Sequence, residues 1–144
     1  MRVCTIGFTK TSAEQFFERI RTSGVKRVLD VRLHNISQLA GFAKKQDLRY
    51  LLRAICSIEY IHLPELAPTQ EMLDAYKKAR GDWRTYERRF LELMSQRRIE
   101  DVVSRQMADG SCLLCSENKA HHCHRRLVAE YLRSRWGDVD IEHL

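Results

Sequence analysis

The residues with most chemistry lie between positions 112 and 126, where Cys112-Leu-Leu-Cys115-Ser-Glu117 runs on to His121-His122-Cys123-His124-Arg125-Arg126. Three kinds of chemistry compete for this run. The first is anion capture: a helix starting at His122 or Cys123 would offer free N–H groups and the positive end of its dipole, and Arg125 or Arg126 would add a guanidinium fork. Two arginines there oppose the macrodipole at a cost of roughly 0.3–1 kcal/mol each, which a bound anion would offset. The second is thiolate chemistry. Cys123, beside His124 and two arginines at a helix start, sits where a thiol pKa falls below ~8.5. Cys115 faces the same loop from a strand end, and Glu117 stands two residues on as a general acid or base. Spacing alone does not choose between the two cysteines as nucleophile, and Cys115 and Arg125 are too far apart for the tight cysteine-to-arginine loop of phosphatases and sulfurtransferases.

The third is metal binding, since the thiols and imidazoles of the run are numerous enough for tetrahedral zinc. Residues three apart on a strand point to opposite faces, so Cys112 and Cys115 should not converge. No metal ligand is assigned on that spacing, although Cys115, Cys123 and His124 remain a rival zinc set. Cys4, Cys56 and Cys112 read as core thiols, because free cysteine is among the most buried residue types. His121 and His122 read as loop surface. His124 either faces outward or hydrogen-bonds a strand-end group and so orients the loop.

Arg32, which follows Val28-Leu29-Asp30-Val31, has two readings. Asp30 and Arg32 share a strand face and could pair with each other, or Arg32 could leave the sheet and meet the anion held by Arg125. Thr9 follows the first strand, and Tyr60, His62 and Glu65 flank the third. The stripe Trp83, Tyr86, Phe90 fits a core face or a lid over the site.

These residues are positioned by an alternation of strands and helices. Strands are expected at Val3–Ile6, Val25–Val31, Ile58–Leu63, Ser111–Cys115 and Val139–Ile141. Ser12 with Gln15 makes a capping box for a helix that stops at Ser23-Gly24, and Leu48, Leu51, Leu52 and Ile55 recur at helical spacing. Helical material follows from Gln70 to Arg80, then from Asp82 past Met94, and last from Cys123 to Trp136. His34 to Ala43 reads as a loop and Asp109-Gly110 as a turn. The expected architecture is α/β: a single compact domain over residues 1–144, with a mainly parallel sheet of about five strands flanked by helices. In such sheets the ligand crevice lies beyond the carboxyl ends of the strands, where Thr9, Arg32, His62, Cys115 and Glu117 fall.

The 144 residues are 44% apolar and 31% charged, which excludes fibrous and broadly disordered classes. No apolar run approaches the ~20 residues of a membrane span, and the first residues lack a secretory pattern, so a soluble, cytoplasmic protein is expected. Five cysteines are an odd number and argue for reduced thiols over a disulfide framework. Lys plus Arg number 25 against 19 Asp plus Glu, a surplus of +6 that favours phosphorylated or polyanionic partners. The leading expectation is an enzyme acting on a small anionic, nucleotide-like ligand, with Arg32, Arg125, Thr9 and His124 binding, Cys115 or Cys123 as the thiol, and Glu117 moving protons. A nucleic-acid-binding module, using the arginines between Lys77 and Arg98, is the rival from another class. The sequence names no cofactor, a membrane partner is not expected, and a homodimer stays open.

With these residues assembled, the chain resembles the prokaryotic family known as domain of unknown function 488. The resemblance rests on Thr5-Ile6-Gly7-Phe8-Thr9, Asp30-Val31-Arg32, Tyr60-Ile61-His62-Leu63-Pro64-Glu65-Leu66, Leu113-Leu114-Cys115-Ser116-Glu117, Cys123-His124-Arg125-Arg126 and the final His143-Leu144. It implies a small α/β domain and brings no reaction with it. Leu33-His34-Asn35-Ile36 stands where family members often carry a proline and small residues.

Overall fold

A computed structural model describes residues 1–36 and 40–144. Five strands form one sheet: β1 (Arg2–Ile6), β2 (Arg27–Asp30), β3 (Glu59–His62), β4 (Ser111–Leu114) and β5 (Asp140–His143). All neighbours pair in parallel, in the order β3-β2-β4-β1-β5. The fold is α/β, as the alternation of periods implies.

Side chains alternate between two cores. Val3, Leu29, Val31, Leu113 and Cys115 face one side, whereas Cys4, Ile6, Val28, Cys112 and Leu114 face the other. The second side is covered by α1 (Ala13–Ser23) and α2 (Lys45–Leu51), through Phe16, Phe17, Ile20 and Leu48. Helix α1 begins with the expected reciprocal Ser12–Gln15 capping box and ends at Gly24, whose φ of 74° suits a residue without Cβ. The first side is covered by α3 (Gln70–Leu73), α4 (Trp83–Arg97), α5 (Ile99–Val102), α6 (Arg105–Ala108) and α7 (His124–Trp136). Tyr86, Phe90 and Met94 of α4 bury beside Leu127, Val128 and Leu132 of α7. Asp82 caps α4 through the Thr85 N–H at 3.1 Å.

The elements differ from expectation where they are short. The single turns α5 and α6 show too little periodicity to be read in advance. Residues 70–80 do not form one α-helix: beyond α3 the chain widens over Asp74–Lys78, with the Ala79 N–H bonding five residues back to the Asp74 carbonyl at 3.0 Å. Of the loop expected over 34–43, residues 37–39 lie outside the described residues, and Gly41–Ala43 make a 3-10 turn. Among the described residues, no helix is long and apolar enough to cross a membrane.

Strand order fixes where a ligand can sit. The connection leaving β2 runs outward to β3, while the one leaving β4 runs the opposite way to β5. Adjacent strands whose exits diverge open a crevice at their carboxyl ends. Here it lies between β2 and β4, where Arg32 and Cys115 emerge.

Candidate thiol site at the strand ends

A cavity of about 290 Å³ occupies this crevice, near the lower end of the size range of small-molecule sites. Arg32, Cys115, Glu117, Cys123 and His124 all line it. Five of the residues singled out from the sequence therefore converge, drawn from three segments of chain.

Cys115 follows β4 directly and is only 4% exposed. Its Sγ lies 3.6 Å from Nδ1 of His124, the first residue of α7. The opposite nitrogen, Nε2, lies 2.7 Å from the Val31 carbonyl oxygen. A carbonyl only accepts, so Nε2 carries a hydrogen and donates, which aims Nδ1 at the sulfur. The Cys123 sulfur lies within 4.8 Å of the Cys115 sulfur, and the Glu117 backbone N–H also favours a charged Cys115. Hydrogen bonding from Cys123 first, helped by the His124 charge, holds the Cys115 pKa well below its usual 9.0 despite burial. Cys123, which gives its proton to that bond and is itself buried, is pushed well above 9.0. Burial works against a charged His124, but the Cys115 thiolate outweighs it and raises the imidazole above 6.5. One contact distinguishes the two cysteines that spacing could not: the His124 imidazole lies against Cys115, whereas the Cys123 sulfur accepts from Arg125 Nη1 at 3.7 Å.

Arg32 satisfies both of its sequence readings in part. Its Nε and Nη2 grip Asp30 at 2.8 Å each, a pair 3% and 0% exposed. Tyr60 donates to the same carboxylate at 2.5 Å, and His62 donates to the Arg32 carbonyl at 2.9 Å. Arg32 Nη1 is buried with no acceptor among the described residues, although the residue lines the cavity. A buried cationic N–H without a hydrogen-bond acceptor is costly, and the guanidinium's further contact is the face of Phe8, 5.3 Å from its Cζ.

Two expected ligand residues are placed elsewhere. Arg125 does not line the cavity. Its guanidinium, 1% exposed, donates to the carbonyls of Glu117 and Asn118 and to Thr5 Oγ1 at 3.3 Å, so it holds the loop 116–122 from behind. Arg126 likewise donates to the His121 carbonyl and to Glu130, both at 3.0 Å. Acceptors inside the protein, and not an external anion, offset the cost of arginines at this helix start. Thr9 is exposed and donates to the Ser116 carbonyl at 2.6 Å, bracing the same loop. Gly7 explains why the loop can approach so closely: a Cβ there would overlap the Glu117 carbonyl oxygen and stand 2.8 Å from Arg125 Nη1.

The far wall was legible only in part. Tyr76, Lys77 and Lys78, from the widened turn after α3, line the cavity together with Trp83, Tyr86 and His122. The rings form a column, with His122 stacked on Trp83 at 4.7 Å and Trp83 on Tyr86 at 5.3 Å. Lys77 reaches Glu117 at 2.7 Å, an exposed ion pair that raises the lysine pKa against its burial. The stripe on α4 signalled the rings, but no local feature signalled the lysines.

The segments that build this cavity are the ones a protein-family comparison finds. The domain of unknown function DUF488 matches residues 12–132. The chain belongs to that family. The DUF488 match takes in Arg32, Cys115, Glu117, Cys123 and His124, while Thr5–Thr9 and His143-Leu144 lie outside it. No curated protein and no solved structure matches the chain.

The Sγ atoms of Cys115 and Cys123 and a ring nitrogen of His124 lie within 4.8 Å of one another, the rival zinc set of the sequence. Three donors are one short of a closed structural zinc site.

Proposed function

We propose that this chain is an enzyme whose Cys115 thiolate attacks a small anionic ligand bearing a flat ring, a nucleotide-like molecule, seated in the β2–β4 crevice. The observation that carries the reading is the Cys115 sulfur at a cavity wall, 3.6 Å from His124 Nδ1, in one cavity with Arg32, whose buried Nη1 has no acceptor among the described residues. Tyr76, Trp83, Tyr86 and His122 give the cavity an aromatic wall for the edge of a ring, the faces of Trp83 and His122 being stacked on each other, on Tyr86 and on His121, and Arg32 suits the anion. In the covalent step the sulfur forms a bond to an electrophilic centre while the leaving group departs with its electron pair. Glu117, which pairs with Lys77, then accepts a proton from the water whose oxygen bonds to that centre as its bond to sulfur breaks and the product leaves.

The nucleic-acid reading loses support from the same contacts. Lys77 pairs with Glu117, Lys78 with Asp74, Arg89 with Glu71 and Arg98 with Asp101, while Arg97 serves the Glu65 and Ala67 carbonyls. Much of the basic stretch is thus neutralised within the protein.

The test is thermal denaturation with nucleoside monophosphates and inorganic phosphate, alongside iodoacetamide labelling of Cys115. A nucleotide at ten times its Kd should add about 1.4 kcal/mol, or roughly 4 °C, and should slow labelling, with phosphate alone doing less. No shift and no protection with any phosphorylated compound would end the proposal. So would a stoichiometric metal that resists chelation, because the sulfurs would then be its ligands.

A further inference from the structure

A nucleophile needs one sulfur, yet this cavity holds two. Cys115 and Cys123 both line it, with their Sγ atoms within 4.8 Å. Only the loop 116–122 separates them, and Cys123 stands at the N-cap of α7 without making a capping bond. Cysteine is a poor cap, so this position is not filled by cysteine for the sake of the helix. The remaining thiols offer an internal contrast. Cys4 and Cys112 are register partners on the neighbouring strands β1 and β4, but both are fully buried on the opposite face of the sheet. Cys56 is alone, its Sγ 3.7 Å from the Phe17 carbonyl.

We propose that Cys115 and Cys123 form a reversibly oxidisable pair: a hydroperoxide entering the cavity oxidises Cys115, and Cys123 closes a disulfide that a small dithiol reopens. In the first step the Cys115 sulfur bonds to the terminal peroxide oxygen, the O–O bond breaks, and the alkoxide or hydroxide leaves and takes up a proton. Cys115 is oxidised by two electrons to a sulfenic acid. In the second, the Cys123 sulfur attacks that of Cys115, the S–O bond breaks, and the hydroxyl departs as water with the proton from Cys123. The sum is two thiols and one hydroperoxide giving one disulfide, one alcohol or water, and one further water. A dithiol then reduces the bond by exchange through a mixed disulfide. Closure asks the sulfurs to approach to ~2.05 Å, a movement of the loop and not of the sheet. The low proton affinity of Cys115 fits the order of steps.

The inference shares Cys115 with the proposed enzyme but needs no ligand, so the two can fail separately. The experiment exposes the reduced full chain to equimolar hydrogen peroxide, counts thiols under denaturing conditions and maps any crosslink by peptide mass spectrometry. The five thiols should fall to three, with a Cys115–Cys123 crosslink, unmodified Cys4 and Cys112, and recovery of all five with dithiothreitol. In Cys123→Ser, Cys115 should stop at the sulfenic acid and be trapped by dimedone. Five thiols surviving peroxide, a crosslink involving Cys4 or Cys112, or a Cys123→Ser chain with no adduct at Cys115 would each overturn it. The wild-type count needs no variant to fold, and nucleotide-induced thermal shifts on the reduced chain report the other reading alone.

Discussion

At the scale of single residues, the fate of Cys115 depends on His124, whose ring is locked between a sulfur and a strand-end carbonyl. With its pKa held far below 9.0, Cys115 should already be thiolate at neutrality. Its alkylation rate should then be nearly level from about pH 7 to 8, where an ordinary thiol gains close to tenfold. In His124→Gln the amide keeps a donor for the Val31 carbonyl but loses Nδ1, and labelling at neutral pH should drop about tenfold or more. A wild-type rate that climbs steeply over that interval would mean an ordinary thiol. Arg32 is subject to a different constraint. Removing it leaves Asp30, fully buried, without its cation, so Arg32→Ala should cost about 3–5 kcal/mol in urea denaturation. Arg32→Lys, which keeps the charge, should lose much less stability while still weakening nucleotide binding, and it is the variant that separates folding from recognition.

At the scale of elements, the site is a loop pressed between two others. The carbonyl of Glu117 lies against Gly7, Ser116 accepts from the backbone of Phe8 and Thr9, and Arg125 ties the far side. A methyl group at Gly7 meets backbone, which cannot swing aside as a side-chain end can. Gly7→Ala should therefore destabilise by roughly 3 kcal/mol, at the upper end for overpacking, and should also slow Cys115 labelling by displacing the Glu117 N–H. Unchanged stability and labelling would show that the loop has room to yield. The residues of this loop were legible from the sequence, because strand-end position and residue type mark them. The role of Arg125 was not. A guanidinium at a helix start reads as an anion grip until the carbonyls that occupy it are seen, and those come from a turn whose shape no spacing encodes. The lysine wall escaped for a similar reason, since an α-helical reading of residues 70–80 hides the widened turn that brings Tyr76 and Lys77 to the cavity.

At the scale of the whole molecule, alternating periods showed that strands and helices take turns, but not the order β3-β2-β4-β1-β5. That order depends on long-range pairing, and it decides which strand ends meet. It also sets a charge pair, Cys115 and His124, inside the core, and this coupling makes stability depend on pH. His124, raised above 6.5, stabilises fully below that pH and progressively less as pH climbs toward its folded value. Cys115, lowered well below 9.0, stabilises fully above 9.0 and loses its contribution as pH falls toward its folded value. Between 6.5 and 9.0 the two slopes oppose, so the pair's contribution should flatten there. It should decline below 6.5 as the thiolate takes up a proton, and above 9.0, where Cys115 contributes in full and no longer opposes the loss from His124 as the pH climbs toward the folded imidazole's value. The measurement is the unfolding free energy from urea titrations between about pH 5 and 10, taken as wild type minus Cys115→Ser so that titrating groups remote from Cys115 drop out. A difference that rises steadily through neutrality would indicate an isolated thiolate. One that falls steadily would indicate an isolated imidazolium, and only a plateau fits a buried pair sharing one proton between sulfur and nitrogen.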